Sequence, residues 1–331
     1  MSFFLVAVTQ QKINGGIIME KLIVTGIDGN LGKVAAQEIQ KLVPADKLIF
    51  CSYDKKVLKD YEQLGIETQQ TDFNHYDGLE KAFQHGTKLL LISMPFVGKK
   101  RQAAHKNVID AAKKAGVKQI VYTSLVNADD PTNPSVEKKD HLYTENYIKD
   151  SGLDYIFLRN SQYAEAMITN YFTYVKGDGI LKNNQGNGLM AYISRRDCAK
   201  TAAYALASND YHHAIPNING PEAMTISKFV QIGNEATGNH VTYQEITDEQ
   251  NYEIFDAMGV PRTTDGKFKK DSEAPFSSDG MVTFGQAIRE GKMSLQTNDF
   301  QKLTGDEPLT VKYMFEHADN FQIGARHSED R

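Results

Sequence analysis

Tryptophan is absent, only two of the 331 residues are cysteine, and no apolar run reaches the length of a membrane span. Two isolated thiols, Cys51 and Cys198, cannot build a disulfide framework, and neither belongs to a Cys-x-x-Cys or Cys/His cluster. They read as small buried hydrophobes, and a reducing cytoplasm fits best. An excess of positive charge is missing too: 37 Lys and Arg stand against 42 Asp and Glu, a net charge of -5. That leaves no basic footprint for nucleic acid and no polybasic patch for a membrane, so small-molecule partners are expected. His212, His213 and His240 have no carboxylate or cysteine partner at ligand spacing, which argues against a metal. Residues 1–18 have an apolar core, Phe3 to Val8, too short to span a bilayer, and no basic n-region or clear cleavage site. They read as an N-terminal extension, with Met19 as an alternative start.

What is present begins at Lys21, in KLIVTGIDGNLGKVAAQEIQKLV. A short apolar run breaks into Thr25-Gly26-Ile27-Asp28-Gly29-Asn30-Leu31-Gly32, and then Leu31, Val34, Ala35, Ile39 and Leu42 recur at helical spacing. This predicts strand, tight turn and helix. Glycines at 26, 29 and 32 let the backbone turn sharply, approach a pyrophosphate and pack the helix on its strand, while the helix N-terminus offers free N–H groups to phosphates. Thr25, Gly26, Gly29, Asn30, Leu31 and Gly32 are therefore candidate cofactor contacts.

Alternation continues. Strands are expected at 47–52, 66–69, 88–93, 119–124 and 153–158, with helices at 55–64, 76–84, about 103–115 and 141–150 between them. Single helices between strands demand right-handed crossovers and helices on both faces. The fold class is α/β: a doubly wound parallel sheet, the Rossmann fold, with a smaller C-terminal α/β substrate lobe. The expected division is 1–18 extension; 19–160 nucleotide domain, rejoined by about 190–210; 161–189 and 211–322 lobe; 323–331 tail. Beyond Arg159, Phe172, Tyr174, Ile180 and Leu181 read as a segment leaving the sheet. Helices are expected near 196–206, from Thr225, from Thr247 and near 311–317, and a polar stretch runs from 263 to 280.

The residue ending the second strand of such a sheet reads the adenosine ribose, an acid favouring NAD and an arginine NADP. Here Ser52, Tyr53 and Asp54 are followed by Lys55 and Lys56. Ser52 with the ammonium groups could hold a 2′-phosphate, or Asp54 could pair a ribose hydroxyl. Asp72 and Phe73, after the third strand, are candidates at the adenine.

TGIDGNLG, KLLLIS, GVKQIVYTS, HLYTENYIKDSGLDYIFLRNSQY and SRRDCAKTAA, in that order, resemble the NmrA-like atypical short-chain dehydrogenases, in the branch of quinone oxidoreductases and triphenylmethane reductases. Short-chain dehydrogenases usually protonate substrate with a tyrosine followed by lysine at i+4, and none of the 16 tyrosines here has one. The resemblance implies direct hydride transfer from NAD(P)H to an acceptor that is already electrophilic, without that pair. Carried over by position, it assigns Ser93, Met94, Thr123 and Ser124 to the cofactor. Asn160 lies in the LRN-x-x-Y segment beside the nicotinamide, and with His141 and Tyr163 it is a candidate for the catalytic groups. Ile27-Asp28 departs from the family's Ala-Thr, Ser52 from its arginine, and Asn146 from a lysine. The expected cofactor is NADP(H), weakly favoured, with NAD(H) possible. A non-catalytic redox sensor acting on a protein partner is the alternative reading.

Overall fold

The computed structural model describes residues 20–263 and 276–323. The expected N-terminal extension lies outside these residues, as do most of the polar stretch at 263–280 and all but the first residue of the tail. Seven strands form one parallel sheet: β1 (Lys21–Val24), β2 (Leu48–Ser52), β3 (Glu67–Gln70), β4 (Gly86–Leu91), β5 (Gln119–Leu125), β6 (Asp154–Asn160) and, later in the chain, a two-residue strand at Asn217–Ile218. Their spatial order is β3-β2-β1-β4-β5-β6 and then that last strand. The order reverses between β1 and β4, and ligands of such sheets bind in the crevice outside the carboxyl ends at that reversal. The inner strands are rich in apolar residues because both their faces are covered, and all five residues of β2 are buried, whereas the edge strand β3, Glu-Thr-Gln-Gln, has none buried.

The crossovers are α1 (Asn30–Ile39), α2 (Lys55–Glu62), α3 (Leu79–Ala82), α4 (Lys99–Ala115) and α5 (Lys138–Ser151). Two boundaries fall inside the expected ones for local reasons. The helix expected at 76–84 is one turn, because Gly78 enters it at φ 90° and His85 leaves it at φ 70°. β4 ends at Leu91 because Ser93 N–H leaves the ladder and donates to Thr123 Oγ1 at 2.8 Å.

After β6 the chain forms α6 (Ala164–Lys176), which the sequence reading did not identify as a helix although Ala164, Met167, Ile168 and Tyr171 line one buried face. β7 (Ile180–Asn183) follows, then α7 (Arg195–Ala207), which returns to pack on α1. Asn217–Ile218, β8, pairs with β6 in the main sheet. Beyond it, α8 (Ile226–Thr237) starts at its Thr225 cap, and β9 (Thr242–Glu245) pairs in parallel with β7 as a separate two-stranded sheet. Three helices follow: α9 (Asp248–Ala257), whose Thr247 and Gln250 complete a capping box, α10 (Ser278–Arg289) and α11 (Asp299–Thr304). The last, α12 (Val311–Glu316), packs on α8. This part has its own aromatic core: Phe315 stacks edge-on against Tyr171 at 5.0 Å and Phe229 at 5.1 Å between ring centroids. No helix among the described residues is long and apolar enough to cross a membrane.

Candidate active site

Along the carboxyl edge, the β1–α1 turn is shaped by two glycines. Gly26 takes φ 65°, open to glycine and rare for other residues. Gly32 lies so close beneath it that a Cβ there would sit 1.9 Å from Gly26 O. The helix therefore docks on the turn backbone to backbone. Gly29 is the N-cap of α1 and supplies no side-chain cap, so the first-turn N–H groups of Asn30, Leu31 and Gly32 have no intrahelical acceptor. Thr25 is spent internally, its hydroxyl donating to Leu90 O at 2.7 Å across β1–β4.

At the end of β2, Ser52 is buried and its hydroxyl is occupied. Oγ lies 2.9 Å from Asp28 Oδ1 and 3.1 Å from Asp54 O, and accepts from Asp54 N–H at 3.0 Å. Asp54 Oδ1 accepts from Lys56 N–H at 2.8 Å and caps α2. Farther along the edge, Asp72 closes its own turn, accepting from Asn74 N–H at 3.0 Å. The Phe73 ring is packed into the core beneath α4.

Around β4 and β5 the loop after β4 is held by buried side chains from two helices. Met94 N–H donates to His105 Nε2 at 3.1 Å, and His105 Nδ1 lies 2.9 Å from Thr144 Oγ1. Because Thr144 donates its own proton to Asp140 O at 2.9 Å, the His105 Nδ1 must carry the proton and the ring must be neutral. Burial, with the Arg101 guanidinium nearby, pushes its pKa down to about 3. Arg101 Nε donates to Met94 O at 3.1 Å, and Asp140 accepts from Gly98 N–H and from Gln102. His141 belongs to the same cluster: Nδ1 is 2.9 Å from Tyr122 Oη and Nε2 is 3.5 Å from Arg101. Burial, then Arg101 and His105, hold its pKa well below the ordinary histidine value. Both its nitrogens are engaged, and it is neutral.

The end of β6 is fixed by a buried ion pair. Arg159 reaches Glu145 through Nε at 3.0 Å and Nη2 at 2.7 Å, and Asp129 through Nη1 at 2.6 Å. Ser124 Oγ donates to the same Glu145 at 2.6 Å, which joins β5 to this pair. The next residue, Asn160, donates through Nδ2 to Tyr163 Oη at 3.2 Å. Burial raises the Tyr163 pKa, so the phenol stays protonated. Asn160 Oδ1, Gln162 Oε1 and Glu165 Oε2 are buried without a partner among the described residues, as is Ser93 Oγ after β4. Ser93 follows β4 in the chain, and Asn160, Gln162 and Glu165 lie at or just after the end of β6.

The structure thus brings Ser93 to Thr123, Met94 to the histidine cluster and Asn160 to Tyr163, and separates Ser124 from them by committing it to Glu145. Sequence reasoning missed His105, Arg101 and Asp140. A signal existed: Arg101 and His105 lie one turn apart on the face of α4 that carries Ala104, Val108 and Ile109. Polar residues in an apolar stripe mark a buried network.

The site fits a dinucleotide on two grounds visible in the molecule, an uncapped helix N-terminus behind a glycine turn and a set of unpartnered buried acceptors at the edge where a nicotinamide would lie. Residues 29–209 match a family described as NAD(P)H-binding. Quinone oxidoreductase 2 of Escherichia coli is 32% identical over 238 residues, 72% of this chain and 82% of that protein. An NmrA-like family domain-containing oxidoreductase of Aspergillus flavus is 25% identical over 87% of this chain and 92% of its own. The crystal structure of Citrobacter sp. triphenylmethane reductase complexed with NADP(H) superposes with a TM-score of 0.77 at 28% identity, over 90% of this chain and 99% of that one. The chain belongs to the NmrA-like, NAD(P)H-binding oxidoreductase family, as its ordered motifs implied.

Proposed function

We propose that this protein is an NAD(P)H-dependent reductase that passes hydride to a quinone-like or other conjugated electrophile. The unpartnered Asn160 Oδ1, held beside a protonated Tyr163, is the observation that carries the reading. A buried acceptor without a partner costs about 1–3 kcal/mol, and a ligand that donates to it recovers that cost. When bound, the nicotinamide supplies the hydride; the protein orients the two rings.

In this reading Gly26, Gly29 and the N–H groups of Asn30, Leu31 and Gly32 hold the pyrophosphate. Ser93, Met94 and Thr123 lie along the nicotinamide half. Asn160 Oδ1 accepts from the carboxamide or the substrate. Tyr163 Oη accepts a hydrogen bond from Asn160 Nδ2–H and has its own O–H free to donate to the substrate's oxygen as charge develops there. His141 acts through the loop after β4 and touches neither ring. NADPH is weakly preferred and NADH is used. The part beyond β6, residues 161–189 and 211–322, closes over the acceptor, and the protein works in the cytoplasm on small molecules, without nucleic acid.

Steady-state assays with NADPH and NADH against a panel of quinones and cationic dyes test this. Turnover is expected with at least one acceptor class, and Tyr163→Phe should lower kcat about a hundredfold. Tight cofactor binding without turnover of any acceptor would overturn the proposal and leave a redox sensor.

A further inference from the structure

We infer that Asp28 sets the cofactor choice of this protein by fixing a negative charge where the 2′ substituent of the adenosine ribose is read. The inference rests on the dinucleotide reading of the site. In a sheet of this type the residue ending the second strand meets the ribose. That residue is Ser52, and the side chain it hydrogen-bonds is not from its own loop but from the glycine turn, Asp28, at 2.9 Å. The acid nearest in sequence, Asp54, is committed to the N-terminus of α2. Asp28 is exposed, and among the described residues Ser52 is its one side-chain partner and it forms no ion pair.

The carboxylate is also held in place by its neighbours' backbone. On one side Ile27 N–H donates to Cys51 O at 3.3 Å, and on the other Gly29 N–H donates to Gly26 O at 3.0 Å. A ribose with a free 2′-hydroxyl finds an acceptor there. A 2′-phosphate finds a like charge. Opposing it are ammonium groups: Lys33, which lines with Asp28 a groove of about 440 Å³ between α1 and α2, and the exposed Lys55 and Lys56 at the start of α2. None of the three has an ion-pair partner among the described residues. Attraction from the lysines and repulsion from Asp28 offset each other, and the discrimination that remains is small. Loss of the family's arginine is then only half of the explanation; the acid in the glycine turn is the other half.

Calorimetric titration of the full chain with ADP-ribose and with 2′-phospho-ADP-ribose tests this without any acceptor or turnover. Asp28→Asn keeps an acceptor for Ser52 and removes the charge. It should tighten the 2′-phosphorylated ligand about fivefold, the scale of one exposed charge contact, and leave ADP-ribose unchanged or slightly weaker. Asp28→Ala should move the ratio in the same direction. Parallel changes for both ligands, or no change for the phosphorylated one, would overturn the assignment. Failure of the wild-type protein to bind either fragment would overturn the dinucleotide reading itself, and the inference with it.

Discussion

At the β1–β2 end of the sheet's carboxyl edge the chain turns on Gly26 and docks α1 through Gly32, with main-chain atoms in contact and few side chains involved. At the β4–β6 end the backbone is held at a distance, by side chains that reach across 30 to 42 positions of sequence: Thr123 to Ser93, His105 to Thr144, Asp140 to Gly98. In the proposed function the first end presents N–H groups to a pyrophosphate, an anion whose shape hardly varies. In the same reading the second holds a flat ring pair at a set angle, and a network of neutral and ionised side chains can be retuned one residue at a time. On the proposed reading, local chain conformation secures the phosphates and tertiary packing secures the chemistry.

The comparison breaks most severely at the second end. Glu145 is fully buried and accepts from both Arg159 and Ser124. Glu145→Ala leaves the guanidinium with only the half-exposed Asp129, and should cost about 4 kcal/mol of stability by denaturant unfolding. A loss below about 1 kcal/mol would mean that the pair behaves as a surface bridge and does not fix β6. At the first end, Gly32→Ala forces a methyl group against Gly26 O. About 3 kcal/mol should be lost, together with dinucleotide binding, because the turn and the helix cannot both keep their places. A variant with normal binding would show that α1 can retreat from the turn, and the docking argument would fall.

The histidine cluster adds a pH dependence that the glycine end lacks. His105 has its folded pKa lowered to about 3, against an ordinary value near 6.5, so the unfolded chain binds the extra proton. Its contribution is fully present above about 6.5 and is lost as pH falls from there toward about 3, amounting to about 2 kcal/mol by pH 5. Burial raises the pKa of the Glu137, Glu165 and Asp197 carboxyls. Those groups act in the opposite sense, gaining stability as pH falls through the carboxylate range, so the wild-type profile alone mixes the two. His105→Gln separates them: its amide oxygen can accept from Met94 N–H at the place of Nε2 and carries no titrating proton. Between pH 7 and pH 5 the wild type should lose about 2 kcal/mol more than this variant. Equal losses would mean that His105 is not held neutral.

The same division explains what could be read in advance. Glycine spacing and apolar alternation are local, so the succession of strands, the turn and the crossover helices were legible from Lys21 to Asn160. α6 was not, because Phe172 and Tyr174, prominent in sequence, lie off the face that Ala164, Met167, Ile168 and Tyr171 bury. The pairing of β7 with β9 joins segments some 60 residues apart and leaves no local trace. His105 and Arg101 sit in the apolar stripe of α4, which marks them as internal, but their partners Met94 and Asp140 are brought across from them only by the fold. Asp28 and Ser52 were each conspicuous, but their contact at 2.9 Å is a tertiary fact.

The smallest effect sharpens the comparison at the ribose position, where Ser52 meets two acids, Asp28 from the glycine turn and Asp54 from its own loop. Asp54 was the sequence's natural choice to pair the ribose hydroxyls, being the acid nearest the end of β2. In the structure its carboxylate accepts from Lys56 N–H and starts α2, while its main-chain N–H, which any residue would supply, is what touches Ser52. Asp54→Ala should therefore remove a helix cap and nothing else, costing about 1 kcal/mol of stability. The ratio of NADPH to NADH affinity should stay within about twofold of the wild type, since the charge that opposes the 2′-phosphate is on Asp28 and is retained. Thermal unfolding and titration with both cofactors on one preparation give the two numbers. If the stability loss is accompanied by a shift in the ratio as large as that of Asp28→Asn, the ribose is read by Asp54, and the contact between the glycine turn and β2 is structural only.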